Sequence, residues 1–130
     1  MHLKIITHEK VVFDEDVNEI YTRGIHGEFG VLKGHIPIMS ALDIGITKVV
    51  QDDGEHLFTT MGGVFQYKDG EAIILTETAE AGDEIDEFRA RQALERAKQR
   101  LNEHKAGLDV KRAQAAIARA MVRLKVSLKE

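Results

Sequence analysis

The chain has 130 residues, 43% hydrophobic and 31% charged, with no cysteine. This length suits one medium domain or a small domain with an appendage. The composition excludes a disulfide framework, a thiolate metal site and a cysteine nucleophile.

The net charge of −4 conceals a division. Residues 1–83 carry 6 Lys+Arg against 15 Asp+Glu, whereas residues 84–130 carry 12 against 7. Ten of the eleven glycines and the only proline, Pro37, fall in the acidic part. Alanines concentrate in the basic part. Composition, charge sign and period all change at Gly82-Asp83, which predicts two domains, 1–83 and 84–130. The start of the chain has no long apolar run, and no window approaches the ~18 apolar residues of a membrane span. A soluble, intracellular protein is expected.

Leu3, Ile5 and Thr7 alternate with polar residues and predict a strand. Val11-Val12-Phe13 and residues 17–23 are the next two strand candidates. Residues 24–37 hold four glycines, which suits tight loops around a short strand from Phe29 to Leu32. There is no G-x-x-x-x-G-K-[ST] phosphate loop in this stretch. Two hairpins follow. Residues 46–51 and 55–60 flank Asp52-Asp53-Gly54, and residues 64–68 and 71–76 flank Asp69-Gly70. Asp-Gly between alternating apolar runs is a strong hairpin signal. Short strands without intervening helices imply an antiparallel sandwich or barrel with a core of Ile, Val, Leu and Phe.

The basic part reads as two helices. Asp83, Glu84, Asp86 and Glu87 crowd the start of the first, expected over residues 84–105, where carboxylates suit the helix dipole. Its apolar stripe is Ala90, Leu94, Ala97, Leu101 and Leu108, flanked by Arg89, Ala93, Arg96 and Arg100. Gly107, after His104 and Lys105, is a C-terminal cap signal. Asp109 can cap a second helix with the stripe Val110, Ala113, Ile117, Ala120, Leu124 and Leu128. Its flank is Arg112, Ala116, Arg119 and Arg123. A short loop makes the helices antiparallel, so the two arginine rows should face each other. Reflection about Gly107 places Arg96 next to Arg119, and Arg123 about one turn from Arg89. Such a seam is either a solvated basic edge or an anion-binding site, since an anion would relieve the repulsion.

No catalytic constellation is present. The six histidines are dispersed, and none forms H-x-x-x-H. His35 reads as a turn residue and Asp52-Asp53 as a solvated hairpin tip. Ser40 and Ser127 lack a nucleophile elbow. The expectation is a binding protein, not an enzyme.

Three features carry a resemblance. They are Gly30-x-Leu32-x-x-His35-x-Pro37 followed by Met39-Ser40-Ala41-Leu42, the two Asp-Gly hairpins, and a helical hairpin opening with Ile85-Asp86-x-x-Arg89-Ala90. Together they resemble the epsilon subunit of bacterial F-type ATP synthase along the whole chain. The last motif is similar to the [I/L]-D-x-x-R-A motif of those epsilon subunits that bind ATP. The resemblance implies an all-β N-terminal domain, a flattened antiparallel β-sandwich of about ten strands, followed by an antiparallel two-helix hairpin. It implies nucleotide contacts at Glu80, Ile85, Asp86, Arg89, Ala90, Arg96, Arg119 and Arg123, with ATP as a regulatory ligand and no catalytic or metal residues. Magnesium dependence is left open. The implied partners are the gamma subunit, the c-ring and the alpha/beta ring, at the cytoplasmic face of the bacterial membrane. The hairpin would lie down on the sandwich and permit ATP hydrolysis, or extend along gamma and block it. In the extended state Lys111, Arg112, Arg119, Arg123, Lys125 and Lys129 would meet an acidic stretch of beta. Two other readings stay open on the sequence: a basic-hairpin nucleic-acid-binding module, thinkable from the +5 balance of the last 47 residues, and a purely structural stalk subunit without nucleotide binding.

Overall fold

The computed structural model describes residues 1–103 and 109–129, the last without its side chain. The expected cap at His104, Lys105 and Gly107, the stripe residue Leu108 and the side chain of Lys129 lie outside the described residues.

Eight strands precede two helices. β1 (His2–Ile6), β2 (Val11–Asp16), β3 (Glu19–Gly24) and β4 (Gly27–Leu32) are short. β5 (Ile38–Gln51) and β6 (Gly54–Lys68) have 14 and 15 residues. β7 (Glu71–Leu75) and β8 (Ala79–Ala81) close the sheet, ordered β2-β1-β7-β6-β5-β3-β4 with β8 also on β6. The sandwich that the resemblance implies, of about ten strands, is built here from eight, because β5 and β6 are double-length. Each runs through both halves of the sandwich. β6 pairs with β8 through its first half and with β7 through its second.

The change of direction in β6 falls at Gly62 and Gly63, with φ of 77° and 115°. A Cβ on Gly63 would stand 1.9 Å from the Leu75 carbonyl oxygen, so no larger residue fits this approach. The folded sheet brings its halves face to face. Phe13 meets Phe58 and Phe29 meets Phe65 edge-on, each pair with ring centroids 5.4 Å apart. Leu3, Ile5, Ile20, Val31, Val49, Phe65 and Ile74 are fully buried between them.

Both expected hairpins form. Gln51 pairs with Gly54, and Lys68 pairs with Glu71 around Asp69 (φ 51°) and Gly70 (φ 80°). The left-handed pair at Asp69-Gly70 is the geometry that a two-residue hairpin needs. One pairing departs from an all-antiparallel sheet: β1 runs parallel to β7. The neighbours are distant in sequence, so no hairpin constrains their direction.

α1 (Glu87–Glu103) starts three residues later than expected. A 3-10 turn occupies Gly82–Glu84, and Ile85 is extended at φ −94°, ψ 127°. The helix begins where Asp86 can cap it: Asp86 Oδ1 accepts from the Arg89 amide at 3.1 Å. α2 (Val110–Lys129) begins the same way, with the Arg112 amide donating to Asp109 Oδ1 at 3.1 Å. α2 packs on α1 and also on β5, β6, β8 and the 3-10 turn. The buried helical residues Ala90, Ala97, Ala113 and Ala120 are alanines, joined by Val126. The larger stripe residues Leu94, Leu101, Ile117 and Leu124 stay half-buried, and Leu128 is exposed. No helix is long and apolar enough to cross a membrane among the described residues.

Candidate functional site: a cavity at the hinge of the hairpin

The route from β8 into α1 turns sharply, and the cavity lies against that turn. Glu80 on β8 is fixed from below, its amide donating to the buried Thr59 hydroxyl at 3.0 Å. Two residues later the 3-10 turn redirects the chain, and the Ile85 amide bonds back to the Gly82 carbonyl at 3.2 Å. The extended Ile85, the capping Asp86, and Arg89 and Ala90 in the first turn of α1 then border one side of the cavity. The end of α2 returns antiparallel alongside and brings Arg123 to the same place.

The result is a cavity of about 370 Å³, inside the roughly 300–1,000 Å³ range of ligand clefts. Seven of the eight residues singled out from sequence line it: Glu80, Ile85, Asp86, Arg89, Ala90, Arg96 and Arg123. Glu84, Ala93 and Ala120 complete the lining. The eighth, Arg119, instead lines a neighbouring cavity with Arg100 and Arg112. The arginine seam is therefore two clusters, not one continuous row. The cause is level along the axis: Arg119 lies one turn before Arg123 on the same face of α2, beside Arg100 rather than Arg89.

Charge at the cavity is balanced, three arginines against Glu80, Glu84 and Asp86. Arg123 Nε donates to Glu80 Oε1 at 2.8 Å, with both side chains about one-third exposed. This pair ties α2 to the sandwich. It also supplies part of the anionic charge that the seam requires. A guanidinium has five N–H donors, so using Nε leaves the terminal nitrogens for another acceptor. Asp86 uses Oδ1 on the Arg89 amide and keeps Oδ2 for a second donor. The alanines leave the space empty and the arginines furnish forked donors for a flat or tetrahedral oxyanion. The walls thus provide the apolar Ile85 beside the Asp86 carboxylate, and three guanidinium groups, of which Arg123 is paired with Glu80.

Sequence reasoning did not anticipate Glu84 in the lining, the Glu80–Arg123 pair, or the support from Thr59. The first two follow from the 3-10 turn, which no local pattern announced. Thr59 reads as an ordinary strand residue, and nothing in its neighbours marks it as buried and bonded. Among the described residues there is no cluster of His, Asp and Glu suited to a metal ion.

Comparison with known proteins divides the chain near the same turn. Residues 1–82 match the model for the β-sandwich domain of the ATP synthase delta/epsilon chain, and residues 83–127 match the model for its long alpha-helix domain. The ATP synthase epsilon chain of Nitratidesulfovibrio vulgaris is 42% identical over 97% of this chain and 94% of that one. That of Moorella thermoacetica is 41% identical over 98% and 96%. In a cryo-EM structure of Euglena gracilis mitochondrial ATP synthase, which includes F1 and the c-ring, one chain superposes with a TM-score of 0.82. It is 26% identical, over 97% of this chain and 79% of that one.

Proposed function

The chain belongs to the delta/epsilon family of ATP synthase subunits as an epsilon chain, and on that premise we propose that it is a non-catalytic stalk subunit whose C-terminal hairpin senses ATP and restrains ATP hydrolysis. The observation that carries the reading is the cavity at the hinge, where Asp86, Arg89 and Arg96 of α1 meet Arg123 of α2 and Glu80 of the sandwich. A ligand that touches all three parts binds only while the hairpin lies on the sandwich.

Adenine sits against Ile85 and Ala90, with the exocyclic amine donating to Asp86. The triphosphate runs away from Glu84 and Asp86 toward Arg89, Arg96 and Arg123, with Arg119 one turn beyond. The carboxylate-rich entrance to α1 disfavours the opposite orientation, because it would set phosphate against Glu84 and Asp86. In the assembled enzyme the sandwich binds gamma and faces the c-ring, where exposed Ile25, Leu32, Ile36 and Met39 offer apolar surface. That location is the cytoplasmic face of the membrane. The extended hairpin reaches the alpha/beta ring and presents its basic second helix to an acidic stretch of beta.

Weak packing makes two states plausible on energetic grounds. Alanine methyl groups bury little area, and the apolar stabilisation scales at roughly 25 cal/mol per Å². A ligand restricted to the compact state adds RT ln(1 + [L]/Kd), about 2.7 kcal/mol at a hundredfold excess over Kd. That is enough to reverse a balance of a few kcal/mol.

Calorimetric titration of the isolated protein with ATP tests the site. Arg89→Ala removes a charge-assisted contact of about 1.5–3 kcal/mol, so ATP should bind tenfold or more weakly. Unchanged curves for Arg89→Ala and Arg123→Ala would remove this cavity as the phosphate site. In the assembled enzyme, deleting residues 84–130 should raise the hydrolysis rate, while Asp86→Ala with Arg89→Ala should leave inhibition intact and insensitive to ATP.

A further inference from the structure

The two helices carry one pattern twice. Asp86-x-x-Arg89-Ala90-x-x-Ala93-x-x-Arg96-Ala97-x-x-Arg100-Leu101 recurs, spacing for spacing, as Asp109-x-x-Arg112-Ala113-x-x-Ala116-x-x-Arg119-Ala120-x-x-Arg123-Leu124. Two helices with the same pattern, packed antiparallel, are related by a local twofold axis. Any site built at one end of the pair then has a partner at the other.

The second site is present. On the α1 side of the first cavity stand Asp86, Arg89, Ala93 and Arg96, facing Ala120 and Arg123 of α2. The second cavity, of about 470 Å³, has the equivalents with the helices exchanged: Asp109, Arg112, Ala116 and Arg119 on α2, facing Ala97 and Arg100 of α1. Each N-terminal aspartate caps its own helix through the amide of the arginine three residues on, at 3.1 Å in both cases.

The two sites differ in charge. Glu80 and Glu84 border the first cavity and offset two of its arginines. Among the described residues the second has no counterpart of either, and three guanidinium groups there share its lining with the single carboxylate of Asp109. Among the described residues no ion pair engages Arg100, Arg112 or Arg119. The start of α2 adds the positive end of the helix dipole. An apolar shelf and a free acceptor read a base in the first cavity. The second is dominated by forked cationic donors, which fit phosphoryl oxygens and carry no selectivity for a base.

We propose that the outer end of the hairpin is a second anion site, in which Arg100, Arg112 and Arg119 bind an oligophosphate group independently of any nucleobase. It requires only the hairpin, not the contact with the sandwich, and it stands whether or not ATP occupies the first cavity.

Full-length protein is titrated with inorganic triphosphate and, separately, with ATP, while backbone amide resonances of both helices are followed by NMR. Triphosphate should shift the amides around Asp109 to Arg112. Arg100→Gln with Arg112→Gln, both at exposed positions, should weaken triphosphate binding at least about tenfold. The same pair should leave the ATP-induced shifts around Asp86 to Arg89 in place. Arg89→Ala should do the reverse. If ATP fails to shift the first cavity while triphosphate binding still depends on Arg112, the second site holds and the nucleotide reading falls. The second site is overturned if triphosphate shows no saturable binding at millimolar concentration. It is equally overturned if the triphosphate-induced shifts around Asp109 to Arg112 survive the Arg100/Arg112 variant, or follow Arg89 alone.

Discussion

The sandwich and the hairpin solve the same problem with different materials. The sandwich interlocks large side chains: Phe65, Leu3, Ile5, Ile20 and Ile74 are wholly buried, and aromatic pairs bridge its halves. The hairpin closes on four alanines and Val126, and holds Leu94, Leu101, Ile117 and Leu124 half-buried. Among the described residues one ion pair, Glu80 with Arg123, crosses from the sandwich to α2. The difference separates a part that must keep its shape from a part that can leave its seat. It also explains where a ligand can act. Adding contacts to a dense core changes little, whereas adding them across an alanine interface alters the balance between two positions.

The comparison breaks most visibly in the core. Phe65→Ala should cost about 3–5 kcal/mol in urea denaturation, and the loss should appear in the main cooperative transition. A smaller loss would mean that the sandwich is as loosely held as the hairpin. Removing residues 84–130 is a larger change in sequence with a smaller expected effect. The fragment 1–83 contains both hairpins and the aromatic pairs, so it should keep a cooperative thermal transition. Absence of that transition would make the hairpin part of the core. Arg123→Ala should lower stability by only about 0.5–1 kcal/mol, as expected of a partly exposed ion pair. Its signature should be faster amide exchange in α2 with unchanged exchange in β1 and β7.

The smallest effect concerns pH. His2 bonds to Asp14 and, at 2.8 Å, to Asp16, and these partners raise its pKa above the ordinary 6.5. A folded-state pKa above the unfolded one stabilises the fold at pH values below 6.5. That contribution disappears as pH rises through the raised value. His2→Gln should therefore lower the melting temperature at pH 5.5 and leave it unchanged at pH 9. Equal losses at both pH values would assign His2 a role in packing alone.

Much of this was legible in the chain because periodicity is local. The Asp-Gly turns, the alternation in β1 and the two arginine flanks are all patterns within a few residues. The cap at Asp109 followed from the same logic. Four features were not legible. The continuity of β6 passes through the Gly62-Gly63 bend, which reads locally as a break between strands. The parallel pairing of β1 with β7 joins segments far apart in sequence. The separation of Arg119 from the other site residues is one helical turn along α2, finer than the level that reflection about a loop glycine fixes. The 3-10 turn at Gly82–Glu84 was missed because the carboxylates there suit a helix start equally well.

Amide hydrogen exchange on the isolated full-length protein, with and without saturating ATP, tests the central claim most directly. If ATP holds the hairpin on the sandwich, amides of α1 and α2 that exchange through detachment should slow by up to about a hundredfold at a hundredfold excess of ATP over Kd. Those of β1, β5 and β7 should be unaffected, and Arg89→Ala should abolish the change. Unaltered exchange in both helices at saturating ATP would contradict the account.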